Sequence, residues 1–145
     1  MKRNQKGFSL PELLIVVAVI GIIASIAVPG LLEAQRASRE AAAIQGLRTV
    51  VSAENTYLSV KGNYATYGDP SDLNSAGLVD ISLFTTPLNG YQLTLTLDSS
   101  TSSYTAVNEP TVVTPKSRFF FVGTDGVIHY HLGSAADDTD PNIPQ

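Results

Sequence analysis

A single acidic side chain, Glu12, stands at the edge of a long uncharged apolar run that covers residues 13–32. A carboxylate in such a segment is costly, about 2.5–3.5 kcal/mol at a bilayer centre on insertion scales. We therefore expect Glu12 to need a cationic partner. Cutting the chain between Gly7 and Phe8 would create the nearest new cation, an α-amine on the same chain or on a neighbour. The leader before this bond carries three positive charges, on Lys2, Arg3 and Lys6.

The apolar run has the length of a membrane-spanning helix. Its twenty residues would extend about 30 Å as an α-helix, which matches the hydrocarbon core of a bilayer. A cleaved signal peptide is the alternative, with a basic region at residues 1–6 and a small-x-small pattern at residues 25–27. Glu12 argues against that alternative because it interrupts the boundary where the apolar region of a signal peptide should begin.

Pro11 gives a further reason to expect cleavage before Phe8. A proline within a helix loses one hydrogen bond, and its ring clashes with the carbonyl four residues earlier, here that of Gly7. If the chain began at Phe8, Pro11 would be the fourth helical residue, whose N–H needs no partner. Glu12 would then also lie near the positive end of the helix dipole.

The first thirty-five or so residues resemble the N-terminus of the type IV pilin and pseudopilin family. The resemblance rests on the sequence that starts at Lys6, Lys-Gly-Phe-Ser-Leu-Pro-Glu-Leu-Leu-Ile-Val-Val-Ala-Val-Ile-Gly-Ile-Ile-Ala-Ser-Ile-Ala-Val-Pro. Beyond this segment, the chain shows only the general layout of the family.

The resemblance implies a role for several of these residues. A membrane prepilin peptidase would cut after Gly7 and methylate the amine of Phe8. Glu12 matches the family's glutamate, which pairs with the N-terminus of an adjacent subunit during assembly. Gly21 and Pro29 match a helix-weakening glycine and a kinking proline.

After residue 32 the helical pattern becomes amphipathic. Apolar residues recur at steps of three, four and seven, at Ile44, Leu47, Val51 and Leu58, with Val50 and Tyr57 beside them. The charged residues fall mostly on other sides of the helix, at Arg36, Arg39, Glu40, Arg48 and Glu54. The pattern predicts one helix from Phe8 to about residue 60, ended by a glycine cap at Gly62.

The remainder predicts a small α+β head. Residues 62–90 are predicted to form a loop with one short helix, and the strand signals lie at residues 91–97, 103–108, 118–124 and 127–132. Asp125-Gly126 indicates a two-residue hairpin. We expect an antiparallel sheet of three or four strands on the amphipathic half of the helix, followed by a loosely held acidic tail.

The predicted organisation therefore has four parts. Residues 1–7 form a leader that is removed, residues 8–32 form the transmembrane or filament-core half of the helix, residues 33–61 form its amphipathic half, and residues 62–145 form the head.

Composition limits the functions that this chain could have. Its net charge of −4 combines the basic leader with a remainder of net charge −7, which argues against binding nucleic acid through net charge. A basic leader before an apolar run favours retention on the cytoplasmic side. The chain has no cysteine, which excludes disulfides and thiolate metal sites.

Two clusters near the carboxyl end could in principle bind metal. His129 and His131 are two apart on a predicted strand and would point to one face, but no third zinc ligand is evident. Asp137, Asp138 and Asp140 offer oxygen ligands of the kind that calcium accepts, although the cluster lacks the pattern of an EF-hand loop. The resemblance adds weight to calcium, because major pseudopilins of type II secretion carry a calcium loop near this end. We expect no cofactor and treat the three aspartates as weak calcium candidates.

No sequence pattern of an active site is present, and we expect no enzymatic activity. The leading hypothesis is a structural subunit that inserts in the bacterial inner membrane as a single-pass precursor and then joins an extracellular or periplasmic filament. Its expected partners are identical or related pilin subunits, a prepilin peptidase and an inner-membrane assembly platform. A pseudopilin of type II secretion and a monomeric envelope-binding domain on a single-span anchor are the alternatives. Adhesion, twitching motility, DNA uptake and secretion all remain open as roles.

Overall fold

The computed structural model describes residues 7–61 and 66–143. Its elements are α1 (Leu10–Lys61), α2 (Pro70–Ser75), α3 (Ser82–Thr85), β1 (Tyr91–Leu97), β2 (Tyr104–Pro110), β3 (Arg118–Val122) and β4 (Ile128–Leu132). The predicted α+β class is confirmed, with one long helix and a four-stranded antiparallel sheet. The predicted glycine cap at Gly62 and most of the predicted leader lie outside the described residues.

The chain divides into two compact units, the first ending at residue 37 and the second covering residues 38–145. In the first unit every residue from 7 to 37 is exposed, including all its leucine, isoleucine and valine side chains. Helix α1 is long and apolar enough here to cross a membrane, judged by length and composition. So large an apolar surface is unusual on a soluble monomer, and lipid or other helices must cover it.

The second unit has a core between α1 and one face of the sheet. The helix contributes buried residues at steps of three and four, namely Ala43, Leu47, Val50, Ala53 and Tyr57. Alternate residues of the strands complete the core, among them Leu93, Leu95, Tyr104, Ala106, Phe120 and Val122. The predicted packing of the sheet on the amphipathic half of the helix is therefore confirmed.

The sheet is a simple meander in the order β1-β2-β3-β4, with every neighbouring pair antiparallel. Phe120 lies opposite Asn108 on one side and Tyr130 on the other, and its ring centroid is 5.8 Å from that of Tyr91. Because side chains alternate across a strand, Phe119 and Phe121 lie on the opposite face.

Two local predictions about the head are wrong. Val122 pairs with Ile128, so residues 123–127 form a five-residue loop instead of a two-residue turn. The Asp125 carboxylate accepts the N–H of Val127, and Gly126 has a φ of 72°, a left-handed conformation that glycine adopts without strain. The acidic tail is not loosely held either, since backbone hydrogen bonds join Pro141 and Ile143 to β4.

Truncating the centre of the core should destabilise the head strongly. We expect Phe120→Ala to lower the free energy of unfolding by about 3–5 kcal/mol, because the side chain is 1% exposed and would leave a cavity. The matched control is Val112→Ala, at a side chain that is 74% exposed, where the change should stay within about 0.5 kcal/mol. Denaturant titration of the full chain in detergent measures both values, and equal losses would contradict the assigned core.

Candidate functional site

The N-terminal turn of α1 gives Glu12 a partner within its own chain. Ser9 immediately precedes the helix, and its backbone N–H and hydroxyl donate to Oε2 of Glu12 at 2.8 and 2.6 Å. This is one half of a capping box, in which a glutamate three residues into the helix reaches back to the capping residue. The sequence signature Ser-x-x-Glu could have revealed this contact, which the sequence analysis missed.

The bond between Gly7 and Phe8 is accessible. Both residues precede the helix in non-helical backbone, and Phe8 is 86% exposed. Apart from its chain neighbours, no described atom lies within 4 Å of the position that a Cβ on Gly7 would take. A peptidase needs such an exposed and irregular segment. The structure thus leaves this bond free to enter an enzyme's active site.

Pro11 lies in a position that proline tolerates even in the uncut chain. Helix α1 begins at Leu10 in the uncut chain, so Pro11 lies in its first turn, where the missing N–H has no intrahelical partner to lose. Proline at this position is therefore tolerated with or without cleavage. The expectation of a cut before Phe8 depends on the other features of this segment.

Gly21 and Pro29 both lie within α1, which continues as a helix through each of them. Both are exposed, and beyond the neighbouring backbone of α1 no described atom lies within 4 Å of the position that a Cβ on Gly21 would take. An open glycine allows the backbone of a second helix to approach closely. Their role in helix flexibility stays a prediction.

The two histidines and the acidic tail meet on one face of the sheet. Nδ1 of His129 is 2.6 Å from the backbone carbonyl oxygen of Asp140, and Nδ1 of His131 is 2.7 Å from its carboxylate. The bond from His131 is the main reason why the pKa of Asp140 lies below its ordinary value. The predicted common face of the histidines is therefore confirmed.

The aspartates of the tail are engaged by neighbouring donors. Asp137 accepts the N–H and the hydroxyl of Thr139, which lower its pKa, and Asp140 accepts the N–H of Asp137. Asp138 is exposed. Within residues 7–61 and 66–143, no group of three or more histidines, cysteines or acidic residues could hold a metal ion. Calcium at Asp137, Asp138 and Asp140 gains no support from this arrangement.

The predicted positions of Glu40 and Glu54 away from the core are wrong. Glu40 is largely buried and pairs with Arg118 of β3 at 3.1 Å. Glu54 is fully buried: its Oε2 accepts the N–H of Gly68 at 3.0 Å, and its Oε1 has no hydrogen-bond partner among the described residues. Glu54 lies seven residues after Leu47 and therefore on the same helical stripe, a signal that the phase of the helix contained.

Burial raises the pKa of Glu54 to about 7, since desolvation disfavours the charged carboxylate. The hydrogen bond from Gly68 opposes this shift, and the negative charge of Asp72 in α2 adds to it. Burial raises the pKa of Tyr104 in β2 above its ordinary value, and the negative charge of Glu54 adds to this shift. Glu54 is therefore a buried acid that is half protonated near neutral pH.

The raised pKa of Glu54 predicts a pH-dependent stability. The folded chain binds one proton more than the unfolded chain between pH 4.5 and about 7. The free energy of unfolding should therefore fall as pH rises through this window, by about 3 kcal/mol from this group. In Glu54→Gln the fall should disappear, and the variant should exceed the parent in stability above pH 7.

Denaturant titration of the full chain in detergent at several pH values checks this expectation. Glu109→Gln is the matched control, because Glu109 is an exposed acid on β2 and its loss should leave the pH dependence in place. A Glu54→Gln variant that keeps the same pH profile as the parent would show that Glu54 does not titrate in this range.

The exposed apolar helix and the four-stranded sheet on its amphipathic half are consistent with a pilin-like fold. Residues 2–28 match the family model of the prokaryotic N-terminal methylation motif. The resemblance to type IV pilins is thereby confirmed for the N-terminal segment. Two similar proteins match the chain over longer stretches.

Two type IV major pilins are similar to this chain. The major pilin protein PilA of Myxococcus xanthus is 38% identical over 66 residues, which cover 46% of this chain and 30% of that protein. The wide pilus major component PilA4 of Thermus thermophilus is 34% identical over 87 residues, which cover 60% of this chain and 61% of that protein. Each match therefore spans less than two thirds of the relative. No solved structure matches the chain significantly.

Proposed function

We propose that this chain is the structural subunit of a type IV pilus-like filament and polymerises through α1 after cleavage between Gly7 and Phe8. The observation that carries this proposal is the fully exposed apolar surface of residues 13–32, most of which lies within the methylation motif matched at residues 2–28. Such a surface needs lipid before assembly and other helices after it. The similarity to two major pilins supports a pilus over a secretion pseudopilus.

An interaction other than the hydrophobic effect must fix the position of each helix relative to its neighbours in the filament. Lipid tails are as apolar as the side chains of the helix, so transfer from the bilayer into a helix bundle gains little hydrophobic free energy. A charge pair in a medium of low dielectric constant is strong and depends on position. We assign this pair to the Glu12 carboxylate and the α-amine of Phe8 on the neighbouring subunit.

Ser9 prepares Glu12 for this pairing. Its two donors hold Oε2, which fixes the orientation of the carboxylate at the first turn of α1. An ionised carboxylate has about four acceptor sites, so the carboxylate retains capacity for an ammonium group. The bonds from Ser9 also stabilise the charge of Glu12 while the subunit has no neighbour.

The proposed pathway begins with a single-pass precursor in the bacterial inner membrane. A prepilin peptidase cuts the exposed bond after Gly7 and methylates Phe8, and an inner-membrane platform adds the subunit to the filament base. The head then forms part of the outer surface of the filament. No catalytic role is proposed for the chain.

The mature polypeptide should begin at Phe8 and carry one N-methyl group. Intact-mass and fragmentation mass spectrometry of filament-derived protein reads both features directly. A first residue at Met1, or at Val28 after a signal-peptide cut, would overturn the proposal. An unmethylated Phe8 would leave cleavage intact but contradict the methylation step.

Removing the carboxylate of Glu12 should block assembly without preventing insertion. We expect Glu12→Gln to reach the membrane in parental amounts and to reduce sheared filaments by at least about tenfold, the effect of losing roughly 1.4 kcal/mol per added subunit. Glu33→Gln is the matched control, since Glu33 is an exposed acid on the same helix. Quantifying sheared and membrane-bound subunit decides the matter, and normal filament yield from Glu12→Gln would contradict the assigned pair.

A further inference from the structure

The last strand of the sheet, β4, would present an open edge if the chain ended after it. Unpaired backbone groups at such an edge can pair with a strand from another molecule, so proteins usually cover them. Residues 136–143, which we name the C-terminal strap, cover this edge. Tyr130 donates its N–H to the carbonyl of Pro141 at 3.0 Å, and Ile143 donates to the carbonyl of Ile128 at 2.8 Å. Asn142 forms an antiparallel bridge with His129 between these two bonds.

The strap also reaches the face of the sheet that α1 does not cover. Phe119 lies on this outer face, opposite His131 in the register of β3 and β4, and is nevertheless only 7% exposed. Ala136 in the strap is 8% exposed. Both residues lie outside the main core cluster. Phe119 is therefore covered on this side of the sheet, where Asp140 of the strap also contacts both histidines.

Asp140 makes the side-chain contacts that hold the strap. One carboxylate oxygen lies 2.7 Å from Nδ1 of His131, the other accepts the N–H of Asp137, and the backbone carbonyl lies 2.6 Å from Nδ1 of His129. The strap has two backbone bonds to β4, and the chain has no cysteine that could fasten it covalently. Hydrogen bonds to an ionised carboxylate are roughly twice as strong as neutral ones.

The charged residues around the contacts between Asp140 and the two histidines are acidic. Asp137 is bonded to Asp140 through its backbone, Asp125 of the β3–β4 loop lies 4.0 Å from Nε2 of His129, and Asp138 is in the strap itself.

We propose that Asp140 locks the C-terminal strap onto His129 and His131, and that the strap opens and closes as one unit which guards the outer edge of β4. This proposal does not rest on filament assembly, because the contacts that carry it all lie among residues 128–143. Its failure in the following test would leave the proposed function untouched.

The test is hydrogen exchange of the full chain in detergent, measured by mass spectrometry over peptides of β4 and the strap. In Asp140→Ala, exchange should accelerate in the peptides that contain Tyr130 and Ile143, by about tenfold or more at these two amides, because opening the strap breaks the hydrogen bonds that they donate. His131→Ala should accelerate the same segments. Asp138→Ala is the matched control, since it removes the same charge from an exposed strap residue that has no bond to either histidine.

Peptides from β1 and β2 serve as the internal reference. Unchanged exchange there, together with faster exchange in the strap and β4, would support a lock at Asp140. Two results would overturn the proposal: exchange in Asp140→Ala equal to that in Asp138→Ala, or equal acceleration throughout the sheet, which would mean that the strap has no opening of its own.

Discussion

Helix α1 has an apolar surface in its first part and an amphipathic surface in the second unit. The environments that the chain needs follow from this change along the helix. Up to residue 32 the helix is apolar on every side, so it can be stable only among lipids or other helices. In the second unit a single stripe, which includes Leu47 and Val50, is buried against the sheet. A water-exposed helix with the first surface would aggregate, and a membrane helix with the second surface would be poorly solvated. The chain therefore requires two environments.

The acids of α1 show how differently one helix can accommodate negative charge. Glu12 accepts hydrogen bonds from Ser9 at the helix start, and Glu40 pairs with the guanidinium of Arg118. Glu54 is buried, which raises its pKa to about 7, so that it takes up a proton near neutral pH. The Glu40–Arg118 pair joins helix and sheet at one point, and Arg118 also lies 5.3 Å over the ring of Tyr130. Removing either member would leave a partly buried charge without its partner, which costs more than the pair contributes.

Most of the architecture could be predicted from the sequence, because it follows from local periodicity. The strand predicted at residues 91–97 coincides with β1, and the predicted helix ends within two residues of α1 at either end. Periodicity could not place Glu54, because charge suggested an exposed side chain while helical phase required a buried one. The strap was missed for a different reason: its order comes from contacts with His129 and His131, which a composition rich in aspartate does not reveal.

The candidate site was predictable to a different degree. Cleavage between Gly7 and Phe8 and the pairing of Glu12 stay predictions, which rest on residue types at fixed spacing and on the resemblance to pilins. The contact between Ser9 and Glu12 also has a sequence signature, Ser-x-x-Glu, but the predicted role of Glu12 was a pair with the α-amine of Phe8 and not a bond to Ser9. The tolerance of Pro11 in the uncut chain followed only once the start of the helix at Leu10 was known, since Gly7, whose carbonyl Pro11 would clash with inside a helix, lies before that start.

The way in which the strap is fastened bears on where the head can fold. Many exported domains depend on an oxidising compartment, because a disulfide must form before their last segment is secured. Here that segment is held by backbone hydrogen bonds to β4 and by the contacts of Asp140 with two imidazoles, all of them non-covalent. Maturation of the head therefore requires no thiol oxidase, and reductants in the surroundings have no covalent bond in it to break.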